Sequence, residues 1–244
     1  MATHNKKIQH IYDHLLDQYG PQGWWPLTAV TGTNPTKTGS LQGYHPGLYH
    51  HPTTDDERFE ICLGAILTQN TNWVNVEKAL FNLKNAEALS CMGIKLLADE
   101  KLKTLIQPAG YFNQKAKKIR FFVDFYMELD GATPTRQDLL AIWGVGPETA
   151  DSMLLYAYQQ PTFVIDAYTK RIFIHLGLAT ENTTYDELKN IFEESLNADW
   201  IIYQEYHALI VEHAKRHYNK KPWGVECSLK LVMGKTQNKH NRSN

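Results

Sequence analysis

LAIWGVGPETADSMLLYAYQQPTFVIDAYTKRIF, residues 140–173, sets two glycines between helical stretches and then a lone carboxylate. Gly144 and Gly146 flank Val145, so the chain can form a hairpin too tight for side chains. Backbone N–H groups then face outward at the start of the next helix. Such a nest suits an anion, and a nucleic-acid phosphate is the natural candidate. Asp166 follows after a short apolar run, where one carboxylate can act on a nucleotide so held.

The segment resembles the helix-hairpin-helix plus Gly/Pro-Asp motif of the endonuclease III superfamily of DNA glycosylases. Trp143-Gly144-Val145-Gly146-Pro147 is the hairpin, Thr149-Ala150 opens the second helix, and Pro161 and Asp166 supply the Gly/Pro-Asp half. A bare G-x-G says little. The hairpin, a helix, Pro161 and V-I-D-A-Y-T-K-R in register give the motif its weight. The resemblance covers about residues 57–223 and implies an all-α, two-lobed fold. Residues 1–56 and 166–233 would form one lobe, residues 57–165 a six-helix barrel domain with the hairpin, and 234–244 a disordered tail. It implies that Asp166, at the mouth of a cleft between the lobes, is the catalytic group. Gly144, Val145, Gly146, Glu148, Thr149 and Lys170 would meet DNA. Residues 111–120, YFNQKAKKIR, look like the family's tyrosine-asparagine-x-lysine-alanine segment and place Lys115 near phosphate.

Hydrophobic periodicity agrees with an almost wholly helical chain. Ile8, Ile11, Leu15 and Leu16 fit an amphipathic helix over 6–19 that Gly20-Pro21 ends. Residues 27–56, rich in Gly, Pro, Thr and His, read as a long loop. Helices are expected at about 57–69, 72–84, 94–106, 113–129, 135–142, 147–159, 167–176, 184–195 and 199–218. The polar end, GKTQNKHNRSN, reads as disordered. No stretch is apolar enough to span a membrane, and three cysteines without a pairing pattern suit a reducing cytoplasm. The net charge of −1 does not advertise a DNA binder. Local clusters do better: Lys115, Lys117, Lys118 and Arg120, and the Lys/Arg excess beyond residue 213.

Two departures from the family pattern narrow the chemistry. Bifunctional members carry a lysine in the second hairpin helix that forms a Schiff base with the sugar; here Glu148 stands there, and a carboxylate forms no imine. Many members hold an iron–sulfur cluster on four C-terminal cysteines. Here only Cys227 remains after His213-Ala214-Lys215, too few thiolates for a cluster. The expectation is therefore a monofunctional enzyme with no resident cofactor and no metal, acting as a monomer on double-stranded DNA that carries a damaged base. His213 and His217 stand at metal spacing, but no second pair supports a site. The resemblance also allows a monovalent cation at the hairpin, on backbone carbonyls of Leu140, Trp143 and Val145.

Trp24-Trp25-Pro26, together with Leu67-Thr68-Gln69-Asn70-Thr71 before Trp73, looks like the 3-methyladenine DNA glycosylase III branch. There the positions of Trp24, Trp25, Pro26 and Trp73 form a stacking pocket, whereas composition alone places tryptophans in the core. Electron-rich faces favour a cationic alkylated base by about 1–2 kcal/mol when desolvated. Gln69 resembles the glutamine that fills the vacated base stack, and Asn70 lies beside it; a capping or core role for Gln69 is the alternative. Tyr168 either touches the flipped nucleotide or packs. Two other readings stay open: a glycosylase of the same fold for mismatched thymine or uracil or for 8-oxoguanine, and a non-catalytic hairpin protein that binds DNA.

Overall fold

The computed structural model describes residues 2–36, 42–230 and 232, with residues 2–4 as backbone only. The expected disordered tail, 234–244, and residues 37–41 of the long loop lie outside them. Eleven α-helices and no strand occur among the described residues: α1 (Ala2–Tyr19), α2 (Asp55–Leu67), α3 (Trp73–Asn85), α4 (Cys91–Leu96), α5 (Asp99–Ile106), α6 (Phe112–Glu128), α7 (Arg136–Ala141), α8 (Pro147–Ser152), α9 (Ala167–His175), α10 (Tyr185–Ser195) and α11 (Trp200–His217). The fold is all-α, as the periodicity and the motif predict.

Local chemistry sets the boundaries. Thr54 caps α2 by accepting from Glu57 N, and Asn72 caps α3 from Asn75 N. Capping boxes open α7 (Thr135 with Asp138) and α10 (Thr184 with Glu187). Two expected helices differ. The one over 94–106 breaks into α4 and α5 at an extended Leu97, because the Arg120 guanidinium draws off the carbonyls of Ile94 and Leu97. The one over 147–159 is regular only through Ser152 and then widens into a π-helix over Met153–Ala157, all buried. The widening begins where Ser152 Oγ bonds back to Glu148 O at 2.7 Å, a contact that competes with the regular ladder for that carbonyl.

The chain divides into two compact units, Gly23–Gln160 and a discontinuous one made of Met1–Gln22 with Pro161–Asn244. Residues 23–56 therefore belong to the middle unit and not, as expected, with the terminal helices. Hydrogen bonding sets the switch: Gln22 N donates to Glu205 of the terminal unit, whereas Gly23 O accepts from His45 N of the middle unit. In the middle unit, α2 buries every residue from Phe59 to Leu67 and packs against α3, α6, α8 and the π-helix. A helix buried on all sides belongs at a core's centre. In the terminal unit α11 has that place, burying Tyr203–Ala214, with α1, α9 and α10 around Phe163, Phe192 and Tyr206.

Candidate active site and DNA interface

The hairpin closes as its glycines require. Gly144 takes φ +86°, Val145 N donates to Ile142 O at 3.1 Å, and Gly146 is the extended N-cap ahead of Pro147. Behind it, the fully buried Asp151 carboxylate pairs with Arg136 at 2.8 and 3.1 Å and ties α7 to α8. Val145 and Thr149 are 7% exposed, so their side chains offer DNA little surface, and the Val145 N–H is already held by Ile142 O. Glu148 is exposed.

Gln69 stands apart from its expected role as a stack filler. Its Nε2 donates to Gly144 O (3.1 Å) and Thr149 Oγ1 (3.0 Å), and its Oε1 accepts from Lys118 Nζ, so the amide braces the hairpin. Asn70 beside it is exposed and left-handed at φ +54°. Lys115, expected near phosphate, is 2% exposed and donates to Leu67 O and Ala109 O. Burial, with Lys118 nearby, pulls its pKa down to about 8; it fastens the end of α2 rather than meeting DNA.

Trp24, Trp25 and Trp73 come together in the middle unit. Trp25 meets Trp73 edge-on at 5.2 Å and Tyr156 of the π-helix at 5.1 Å; Trp24 lies 6.3 Å from the same tyrosine. Among the described residues the indole Nε1 atoms of Trp25 and Trp73 are buried without a hydrogen-bond partner. A Cβ at Gly64 would lie 2.9 Å from Trp25 Nε1, so only glycine lets the indole rest on α2. Pro26 is buried, and the turn after it is pinned at Thr28. Glu60 accepts from Thr28 N (2.6 Å) and Oγ1 (2.9 Å), while Lys84 donates to Thr28 O. Burial pushes the Glu60 carboxyl up to about 7. His45 adds a second fastening: its Nδ1 lies 2.8 Å from Leu48 O and its Nε2 2.9 Å from Trp25 O. Burial lowers its pKa against the pull of those carbonyls. Tyr156 and Glu60 escape sequence reading in different ways. An aromatic at helical spacing reads as core, whereas one acid inside the apolar run Phe59–Leu67 was a signal.

Asp166 opens α9 in the terminal unit. Its Oδ1 accepts from Thr169 N and Oγ1, both at 2.7 Å, and among the described residues Oδ2 accepts no hydrogen bond. One oxygen thus fixes the side chain. His207 and Lys215 of α11 lie within its field; burial lowers both pKa values, and the Asp166 charge opposes the shift in each. Lys170, expected to meet DNA, donates to Glu181 O and Thr183 O and holds the α9–α10 loop. Tyr168 is half-buried beneath the Arg171 guanidinium, 5.4 Å from the ring.

Around Cys227 the residues do not fit a four-thiolate cluster. The thiol is buried, with Tyr218 OH donating to it at 3.1 Å and His213 Nε2 lying 3.2 Å away, and the other cysteines, Cys62 and Cys91, belong to the middle unit. Tyr19 OH occupies the other His213 nitrogen at 2.9 Å. Among the described residues no three His, Cys, Asp or Glu side chains group to hold a metal ion, and no helix is long and apolar enough to cross a membrane.

Known proteins share this arrangement. Residues 63–198 match the model of the HhH-GPD superfamily of base excision DNA repair proteins. A protein of Methanocaldococcus jannaschii assigned as a DNA repair glycosylase is 43% identical over 91% of this chain and 94% of its own length. Endonuclease III of Thermotoga maritima is 30% identical over 60% of this chain and 70% of its own. Among solved structures, the 3-methyladenine DNA glycosylase of H. pylori bound to 1,N6-ethenoadenine superposes with a TM-score of 0.64 at 26% identity, covering 88% of this chain and 97% of that one. A non-covalent endonuclease III–DNA complex gives 0.70 at 14% identity over 98% and 99%, a likeness of fold. The hairpin, the capped aspartate and these matches agree: the chain belongs to the HhH-GPD superfamily of base excision repair DNA glycosylases.

Proposed function

We propose that the chain is a monofunctional glycosylase that hydrolyses the N-glycosidic bond of alkylated bases such as 3-methyladenine in double-stranded DNA, with Asp166 as its catalytic group. The aromatic group of Trp24, Trp25 and Trp73 carries the reading: indole faces attract a ring that methylation has made cationic. The H. pylori relative, whose own substrate is 3-methyladenine by name, supports the same substrate class. A flipped nucleotide presents the anomeric carbon of its sugar to the enzyme. Water oxygen bonds to that carbon, its proton passes to the free Asp166 oxygen, and the C–N electron pair returns to the base. The methylated base starts as a cation, so it leaves neutral and needs no general acid. Positive charge on the sugar is stabilised by the same carboxylate. Glu148 offers no amine, so no imine forms and the strand stays intact. We infer a cytoplasmic monomer without an iron–sulfur cluster.

Base release from methylated genomic DNA tests this, with the freed bases separated and the DNA then examined for breaks. The expected result is 3-methyladenine without breaks in the absence of alkali. An Asp166→Asn variant should lose release by about 10²-fold or more while still binding duplex DNA. No methylated base at all would move the substrate to a mismatched or oxidised base, and alkali-independent breaks would overturn the hydrolytic mechanism.

A further inference from the structure

The hairpin has a cation that the family motif does not supply. The methylene stem of Lys118 lies directly on Gly144: a Cβ there would come within 2.6 Å of its Cγ, 2.8 Å of its Cδ and 2.7 Å of its Cε. Its Nζ donates to Gln69 Oε1, while the Gln69 amide nitrogen holds Gly144 O and Thr149 Oγ1. One side chain thus fixes both the hairpin backbone and the ammonium resting on it. An ammonium has three donors, and this contact uses one. Among the described residues Lys118 pairs with no carboxylate. The neighbouring lysines are committed elsewhere, Lys115 to two carbonyls and Lys117 to the face of Trp143 at 4.4 Å.

We propose that Lys118 contacts the DNA phosphate held at the Gly144–Gly146 hairpin, with Gln69 as the positioning residue that aims its ammonium. The proposal rests on the reading that this hairpin grips DNA. A phosphate close enough to bond the hairpin N–H groups lies beside a side chain touching Gly144, and an ammonium there releases a counterion on binding. Gln69 then cannot enter the base stack without surrendering the lysine.

The test is the salt dependence of binding by the full chain to a fluorescent duplex carrying a tetrahydrofuran abasic analogue. Lys118→Met should reduce the magnitude of the slope of log K against log salt by about 0.9, the share of one phosphate contact, and Lys118→Arg should keep it. Gln69→Leu should weaken binding and reduce the slope by less than Lys118→Met does. Lys101→Met, on the exposed side of α5, controls for net charge. Thermal melts check folding, and Lys118→Gln replaces the methionine variant if that one melts early. An unchanged slope in the folded Lys118 variant, or an equal loss from Lys101→Met, overturns the proposal. Wild-type base release is followed in parallel: its absence, with the slope change intact, would sink the glycosylase reading and leave the Lys118 contact standing.

Discussion

Glu60 shows how much a single carboxylate can set in this chain. It is 4% exposed, and both of its oxygens pin Thr28, two residues past the Trp-Trp-Pro segment. Burial raises its pKa from 4.5 to about 7, so the fold prefers the protonated acid. The sign follows: its contribution to stability is complete below about pH 4.5 and is lost as pH rises through 7. The 2.5-unit difference is worth about 3 kcal/mol over that window. Glu60→Gln should flatten the pH dependence of urea unfolding between 4.5 and 7; an unaltered profile would mean that Glu60 is ionised throughout. Sequence reading singled out Asp166 from its register with the hairpin and Pro161, and the structure shows it capping α9 through Thr169 N. The same reading took Lys115 from its place in the YFNQKAKKIR segment, and that pattern carries no sign that the side chain is 2% exposed and bonded to two carbonyls.

Helix boundaries were legible wherever a capping side chain marked them, as at Thr135 and Thr184. They were not legible where a distant group intervened, as Arg120 does at Leu97. The joint of α7 and α8 belongs to this second kind. Arg136 and Asp151 stand fifteen residues apart and meet behind the hairpin, with the carboxylate at 0% exposure. Removing the guanidinium leaves a buried charge without its bidentate partner, at a cost of about 3–5 kcal/mol. Arg136→Ala should therefore lower the free energy of urea unfolding by about that amount. A loss under about 1 kcal/mol would show that the carboxylate is neutralised or rehydrated on its own.

Assembly of the whole chain depends on its two ends meeting. Residues 20–54 carry no helical periodicity, so no apolar stripe revealed which unit they join; the choice is made by Thr28, His45 and their partners in the middle unit. The N-terminal helix gave a clear stripe, Ile8, Ile11, Leu15 and Leu16, of which the first three are at 0% exposure and Leu16 is half-buried. It packs against α10 and α11, nearly two hundred residues away, and Tyr206 OH donates to Ile8 O at 3.0 Å. The terminal unit is thus closed by a segment that the middle unit separates from the rest. A chain lacking residues 1–20 would expose the faces of α10 and α11 that bury those three side chains, each worth about 1.5–3 kcal/mol when covered. Native-state hydrogen exchange would read the consequence by segment. Amides of α10 and α11 should lose protection in the truncated chain, while those of α2, whose core lies wholly within Gly23–Gln160, keep theirs. Equal loss in α2 would mean that the middle unit cannot hold its own fold, and full protection in α11 would mean that α1 only decorates a core complete without it.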